Sequence, residues 1–499
     1  MLSKSDLQSW LQCPRKLWLE HKKPELIPDD DGGMPDRRIT DGNIVGEKAR
    51  EQLGRNYLWP PRADNPAAAA EQAKKMLAEE PDKPAVEVPM LYQGLYTRAD
   101  ALLPEKRRYI LRETKASTLK LKSDEVTPRA PEEHHLNDVA IQVWTMAGWG
   151  LPMARAELNL LDSQWRYPGD GDYSGLFRQL DVTGDAKALK KDVPRWLREA
   201  KAVLVGRMPK VVTGKQCADP YECPFLEYCE ERDPPGPEHP IELLPDSAGK
   251  ALARKLRDTK GYTSILDPKP NELIGTQADL YRRIQKAHRT GKAILEPGSG
   301  AELKKLPYPR YYFDFESIDC PIPRWKGVRP YEHIPFQWSC HIERAPGRFE
   351  HEEFLDLTGN DPSRSCLERM REVIDPNDDG PIIVYYRAFE KNRLEEFGER
   401  HPDYNKLLQQ YISRLVDLHP IVKQHCYHPQ MEGSFSIKKV LSAIAPDLDY
   451  EELDEIQEGT GAQAAYLYAT MDPKTTAVRK ADLESKLRQY CRRDTWAMV

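Results

Sequence analysis

Tyr109-Ile-Leu-Arg-Glu113-Thr-Lys115, preceded by Tyr96-Thr-Arg-Ala-Asp100-Ala-Leu102, is the stretch whose reading decides the fold. Both segments carry the β-branched, aromatic and aliphatic residues of strands, and Pro104-Glu-Lys106 between them reads as a turn. Side chains alternate along a strand, so Tyr109, Leu111, Glu113 and Lys115 share one face. An apolar face that suddenly presents a carboxylate and an ammonium needs a cause, because unpaired buried charge is costly. One account places a divalent cation on Asp100 and Glu113 at a phosphodiester, with Lys115 positioning or polarising the attacking water. The other is a surface salt bridge on a hairpin.

Three further elements favour the first account. Gly42-Asn-Ile-Val-Gly46-Glu47 lies on a predicted helix before the hairpin, where Glu47 can supply another metal ligand. Asp138-Val-Ala-Ile-Gln142 follows on a second predicted helix, with its i and i+4 side chains on one face. Cys13 stands near the start, and Cys217, Cys223 and Cys229 follow more than 200 residues later. Four thiolates can close a zinc site or hold an iron–sulfur cluster, and the spacing alone leaves both open.

A second set of carboxylates lies in the other half. Tyr311-Tyr-Phe-Asp314-Phe-Glu316 reads as an aromatic strand with both acids pointing the same way. Two adjacent carboxylates raise each other's pKa unless a cation neutralises them, and a two-metal centre supplies that charge. Ile382-Ile-Val384 reads as a buried strand leading into a helix that carries Glu390. Leu483, Leu487, Tyr490, Asp494 and Ala497 fall on one helical face, where the acid again suggests a metal ligand. Asp417, in Leu415-Val-Asp-Leu418, is either a further acid of this site or a strand-end aspartate.

Composition sets the frame. The chain has 499 residues, 39% hydrophobic and 31% charged, with a formal net charge of −6. That length allows two or three domains, and no apolar run is long enough for a bilayer. The first residues lack the order of a signal peptide, and nine cysteines do not suggest a disulfide framework, so a cytoplasmic location is expected. The negative charge gives no global attraction to nucleic acid, which would have to meet local basic patches. Asp233-Pro-Pro-Gly-Pro-Glu-His-Pro240 reads as a linker, followed by a basic helical segment whose charges are either a guide for nucleic acid or a solvated face. The aromatics Trp18, Trp144, Trp149 and Trp338 are candidates for base stacking or for core. Strand-like runs alternating with helices beyond residue 306 give an α/β class.

Taken in order, Ser5-Asp-Leu7, Cys13-Pro-Arg-Lys-Leu-Trp18, Gly42…Glu47, Asp100…Glu113-Thr-Lys115, Gln142 and the cysteine triplet resemble the RecB-like PD-(D/E)xK nucleases. The likeness is to their iron–sulfur branch, which includes CRISPR-associated exonucleases and AddB-type recombination nucleases. It covers residues 1–233 and implies a restriction-endonuclease-like domain with a 4Fe–4S cluster on Cys13, Cys217, Cys223 and Cys229. It also implies Mg²⁺- or Mn²⁺-dependent DNA cleavage, with Asp100, Glu113, Lys115 and Gln142 catalytic and Glu47, Asp100 and Glu113 as metal ligands. Glu47 stands where many relatives have histidine, and Met146 where many have tyrosine.

The second set resembles the DEDD exonucleases of the ribonuclease-H-like fold over residues 307–499. The resemblance implies that Asp314, Glu316, Glu390 and Asp494 bind two metals and that Tyr490 orients the water. The second acid in those enzymes is usually aspartate, so Glu390 is a departure. The whole resembles a bacterial family that fuses the two nuclease types, with residues 234–306 as a basic helical linker. It implies a two-site nuclease, chiefly an exonuclease on DNA ends or single strands, serving DNA processing, repair or defence with protein partners. RNA at the C-terminal site, or a nucleic-acid-binding assembly subunit with one or both centres inactive, are the alternatives.

Overall fold

In the computed structural model, which describes residues 1–27, 37–61, 65–124, 127–448, 456 and 458–499, the chain forms two units. One comprises Met1–Pro235 and Cys320–Glu332, the other Gly236–Asp319 and His333–Val499. Both mix helices with sheets, as the alternating patterns predict. Among the described residues no helix is long and apolar enough to cross a membrane.

The first unit contains, in chain order, β1 (Leu2–Ser3), α1 (Lys4–Gln12), α2 (Pro14–Lys22), α3 (Arg37–Glu51), α4 (Pro66–Glu79), β2 (Ala85–Tyr92), β3 (Leu95–Glu105) and β4 (Arg108–Thr118). It continues with α5 (Glu133–Trp149), β5 (Met153–Leu161), β6 (Phe177–Asp181), α6 (Thr183–Leu189), α7 (Val193–Val205) and α8 (Leu226–Glu230). The strands make one sheet in the order β1-β3-β4-β5-β6, with β2 also on β3. Ser3 caps α1 by accepting the Asp6 N–H while the Asp6 carboxylate accepts the Ser3 N–H, a capping box.

The β3–β4 hairpin is as expected except at its tip. Glu105 pairs with Arg108, and the turn is the two residues Lys106 and Arg107, both left-handed at φ 48° and 63°. Such a primed turn matches the twist of the strands, so Pro104 and Glu105 belong to β3. The return from β4 to its parallel neighbour β5 requires a crossover, and α5 provides it. Val139, Val143 and Met146 of α5 pack on the sheet, while Ile141 and Trp144 pack on a second cluster with α1 and α7 residues. A helix buried on two sides encloses its polar residues too: Asp138, Gln142 and Thr145 are all buried.

The second unit contains α9 (Asp246–Lys260), α10 (Ala278–Thr290), β7 (Ile294–Leu295), α11 (Gly298–Leu303), β8 (Arg310–Asp319), β9 (His333–Ala345), β10 (Arg348–Leu355) and α12 (Ser363–Val373). It then runs through β11 (Ile382–Val384), α13 (Arg387–Arg400), α14 (Asn405–Ser413), β12 (Leu415–Asp417), α15 (Leu418–His425), β13 (Cys426–Tyr427), α16 (Ile437–Ile444), α17 (Gly459–Met471) and α18 (Ala477–Met498). Its main sheet has the order β10-β9-β8-β11-β12. β8, β9 and β10 are antiparallel neighbours, and β11 and β12 add in parallel. Phe313, Phe315, Trp338, Ile382 and Val384 fill the core with Leu394, Phe397 and Tyr411.

Two expectations change. Residues 234–306 are not a free linker: Leu252, Leu256, Leu280, Tyr281 and Ile284 of α9 and α10 share a core with Tyr427, Met431, Phe435 and Val440. The basic residues of these helices, including Arg254, Lys255, Arg257, Arg282 and Arg289, point to solvent, as amphipathic helices require. The segment from Cys320 to Glu332 groups with the first unit, where the Tyr331 hydroxyl donates to the Ala116 carbonyl at 2.6 Å. Trp144, Trp149 and Trp338 are core residues, so they do not offer free faces for bases.

The seating of α5 is tight at Gly148, where an added Cβ would fall 2.1 Å from the Tyr92 ring on β2. Gly148→Val is therefore expected to destabilise the first unit by about 1–3 kcal/mol through overpacking, read as a lower thermal unfolding midpoint.

Candidate active sites

In the first unit the β3–β4 hairpin and α5 bring Asp100, Glu113, Lys115, Asp138 and Gln142 together, and α1 adds Lys4. Glu113 is buried and accepts from Lys115 Nζ at 2.8 Å, Lys4 Nζ at 2.9 Å and Gln142 Nε2 at 2.6 Å. Asp138 accepts from Lys4 Nζ at 2.9 Å and Gln142 Nε2 at 3.1 Å, and also pairs with Lys115. Asp100 Oδ2 accepts the Thr114 N–H at 2.8 Å. Three carboxylates thus meet two ammonium groups.

The titration of these groups follows from burial. Loss of water, and then the Glu113 charge, push Asp100 up to about 7. Burial would also raise Asp138, yet Lys115 and Lys4 hold it well below the ordinary carboxylate value. Burial would lower Lys115 and Lys4, and the surrounding carboxylates hold both above the usual lysine range. Gln142 Oε1 is buried and has no hydrogen-bond partner among the described residues. An orphaned carbonyl oxygen beside three carboxylates suits a hard cation or its water.

Of the residues predicted for this site, Asp100, Glu113, Lys115 and Gln142 converge. Glu47 does not join them: it is exposed on α3, and no hydrogen bond or ion pair links it to Asp100 or Glu113. The apolar face of α3 explains why, since Val45 and Ala49 pack toward Ala116 and turn Glu47 away. Lys4 was not foreseen, because its partners lie over 100 residues away. Glu132, His134 and His135 at the start of α5 form a further group with ligand atoms within 4.8 Å of one another.

All four predicted cluster cysteines line one narrow cavity with Arg15. Cys13 joins α1 to α2, Cys229 lies on α8, and the Cys223 N–H donates to the Cys217 carbonyl at 2.7 Å. The two ends of the domain are tied beside them. Arg15 donates to the Val211 carbonyl and to Asp233, while Gln12 Nε2 donates to the carbonyls of Gln216 and Tyr221. Burial raises the Cys223 thiol and pushes Cys229 up to about 11. Among the described residues the cysteines do not form a group of three donors within 4.8 Å.

The second unit assembles its acids more tightly. Asp314 and Glu316 on β8 and Asp494 on α18 offer ligand atoms within 4.8 Å of one another. Glu390 on the first turn of α13 lies close enough to Asp314 for the two carboxylates to shift each other's titration. Its Oε2 is buried without a partner among the described residues. Burial, then the charges of Asp494, Glu390 and Glu316, raise Asp314 well above its ordinary value. Burial and Asp494 do the same to Glu316. Burial pushes Glu390 up to about 8. Tyr490 is buried one turn before Asp494, and Lys438 Nζ on α16 sits 5.3 Å from its ring centroid. The buried stripe of α18 runs through Leu483, Leu487, Tyr490, Asp494 and Met498, with Met498 in place of the expected Ala497.

Asp417 resolves as the strand-end aspartate. Its carboxylate accepts the N–H groups of Tyr386, Arg387 and His419, each at 3.0 Å, capping α13 and α15 together. It thereby fixes the turn that aims Glu390, with Tyr386 left-handed at φ 83°.

Compared with known proteins, residues 311–436 match a family model described as a domain of unknown function, DUF2779. That stretch includes Asp314, Glu316, Glu390 and Asp417 and ends before Lys438, Tyr490 and Asp494. A solved structure titled "Crystal structure of SSO0001" aligns at 15% identity and a TM-score of 0.25, covering 46% of this chain and 85% of that one. No curated protein matches the chain.

Glu390 and Asp100 bind a proton more tightly when folded than at their ordinary values of 4.5 and 3.8. Their stabilisation is therefore full below those values and is lost as pH rises toward about 8. Without divalent cations the thermal unfolding midpoint should fall from about pH 5 to about pH 8, Mn²⁺ should restore it chiefly at the upper end, and Glu390→Gln should flatten the loss by a few kcal/mol on the order of magnitude.

Proposed function

We propose that the chain is a metal-dependent nuclease with a candidate centre in each unit, acting chiefly on DNA ends or single strands. The observation that carries the reading is the convergence of Asp314, Glu316 and Asp494 from β8 and α18. Three buried acids, Glu316, Glu390 and Asp494, and the half-buried Asp314 cannot all ionise side by side without an added cation. Their placement also supports the ribonuclease-H-like DEDD reading: Asp-x-Glu on the first strand of the sheet, an acid after a later strand, and Tyr490 four residues before Asp494 on a helix.

In this reading Asp314, Glu316, Glu390 and Asp494 hold Mg²⁺ or Mn²⁺. Such ions lower the pKa of bound water and offset charge developing on the phosphodiester. Tyr490 orients the attacking water through its hydroxyl, and its burial on the α18 stripe fixes its direction. Asp417 acts at one remove, by holding the turn that points Glu390 inward.

At the first centre Asp100 and Glu113 hold the cation, Gln142 presents its free Oε1, and Lys115 positions the water. The hairpin, the lysine and the glutamine helix support the RecB-like PD-(D/E)xK reading. A second reading of this centre rests on Lys4: its ammonium already neutralises Glu113 and Asp138, as in an assembly subunit with an inactive site. Strong divalent-dependent cleavage that Lys115→Ala removes argues against it.

Cys13, Cys217, Cys223 and Cys229 hold a 4Fe–4S cluster that staples the ends of the first domain. Arg15, which lines the same cavity as the four thiols, offsets the cluster's negative charge.

With end-labelled DNA and RNA and Mg²⁺ or Mn²⁺, Asp314→Ala and Lys115→Ala should each lower one component of cleavage by about a hundredfold or more. Identical background cleavage by wild type and both variants would sink the enzymatic reading. Anaerobically purified protein should be brown with broad visible absorbance, lost in Cys223→Ala. Colourless protein holding stoichiometric zinc would replace the cluster by a zinc staple.

A further inference from the structure

α18 has a second working face. While Tyr490 and Asp494 are buried toward β8, Arg492, Arg493 and Trp496 line a cavity of about 550 Å³ beside β9 and β10. That volume lies within the range of small-ligand sites, roughly 300–1,000 Å³. His341, Phe349 and His351 complete the walls that matter here.

The lining divides by chemistry. Trp496 is 39% exposed as a residue, and its ring is braced from the side, with the His341 centroid 5.1 Å away and the Phe349 ring edge-on at 5.5 Å. A braced, accessible indole is a stacking platform for a flat heterocycle. Arg492 is exposed and makes no ion pair with any described residue, and Arg493 lies next to it on the wall. Among the described residues the one carboxylate on the wall, Glu350, is already paired with Arg344 at 3.0 Å. The Arg492 guanidinium, without an ion pair among the described residues, stands beside an open aromatic face, and planar guanidinium groups favour phosphate.

The floor is polar and fixed. His341 Nδ1 bonds the Thr495 hydroxyl at 2.8 Å, His351 Nε2 bonds Ser339 at 2.9 Å, and Ser339 bonds Thr495 at 2.8 Å. Burial keeps both histidines below their ordinary value, so their rings are neutral hydrogen-bonding groups near pH 7. Ser339 is the cross-strand partner of Asp314, and Thr495 follows Asp494. The pocket is thus wired by hydrogen bonds to the backbone that carries the acids without sharing a carboxylate with them.

We infer that this cavity binds a nucleoside phosphate, with the base stacked on Trp496 and the phosphate on Arg492 and Arg493. The ligand is either a free mononucleotide or one nucleotide of a single strand; the recognising chemistry is the same. The inference does not depend on cleavage, because none of these residues belongs to the candidate acid centres.

Binding is measured by calorimetry on the full chain in EDTA, in an Asp314→Ala background, with dAMP, deoxyadenosine and an oligodeoxyadenylate of about ten nucleotides. dAMP or the oligonucleotide should bind at least about tenfold more tightly than deoxyadenosine, and R492A/R493A should lose at least that factor. W496A should weaken binding while W496F keeps it, which separates stacking from misfolding. Circular dichroism of each variant checks the fold. An oligonucleotide preference over dAMP assigns the pocket to a strand, and equal affinity assigns it to a free nucleotide. No binding of either probe at millimolar concentration, or binding that R492A/R493A leaves within twofold, overturns the inference.

Discussion

The second unit is organised around an electrostatic conflict: the half-buried Asp314 and the buried Glu316, Asp494 and Glu390 lie close together, and like charges in low dielectric repel strongly. Folding tolerates this only if protons or cations take up the charge. Burial and mutual repulsion accordingly raise Asp314, Glu316 and Glu390. The surrounding elements are packed and capped where the conflict is greatest. β8 lies between β9 and β11 in the sheet, α18 packs an apolar stripe on it, and Asp417 anchors the start of α13.

The first unit handles its acids differently. Lys4 and Lys115 stand among Asp100, Glu113 and Asp138, so most of the charge is offset by the protein itself. The sequence pattern makes this the better supported set, with its lysine, glutamine helix and cysteines. Physically the C-terminal set has the stronger demand for a cation. The two centres therefore differ in what an added ion would accomplish: completing a nearly balanced cluster in one, and resolving net repulsion in the other.

Much of the site was legible because its signals are local. Period two places Asp314 with Glu316 and Glu113 with Lys115, and helical spacing places Asp138 with Gln142 and Tyr490 with Asp494. Where the expectation failed, a contact from far along the chain was responsible. Glu47 has a ligand's chemistry but sits on the solvent side, because Val45 and Ala49 claim the inner face of α3. The segment 234–306 has a linker's composition, yet its apolar stripes meet Tyr427, Met431 and Phe435. Asp417 was ambiguous from its neighbours and became a cap only when β11 and β12 paired.

By itself the sequence determined an α/β chain, the strands and helices that carry the acids, and the cysteine set, since alternation and helical periodicity are properties of adjacent residues. Tertiary structure alone decided which of those groups meet. It brought Lys4 to Glu113, placed Lys438 beside Tyr490, gathered four cysteines from opposite ends of a domain, and opened the Arg492–Trp496 face of α18. Such meetings depend on how whole elements pack, and the hydrophobic burial that drives packing is non-directional, so no short stretch of residues records it.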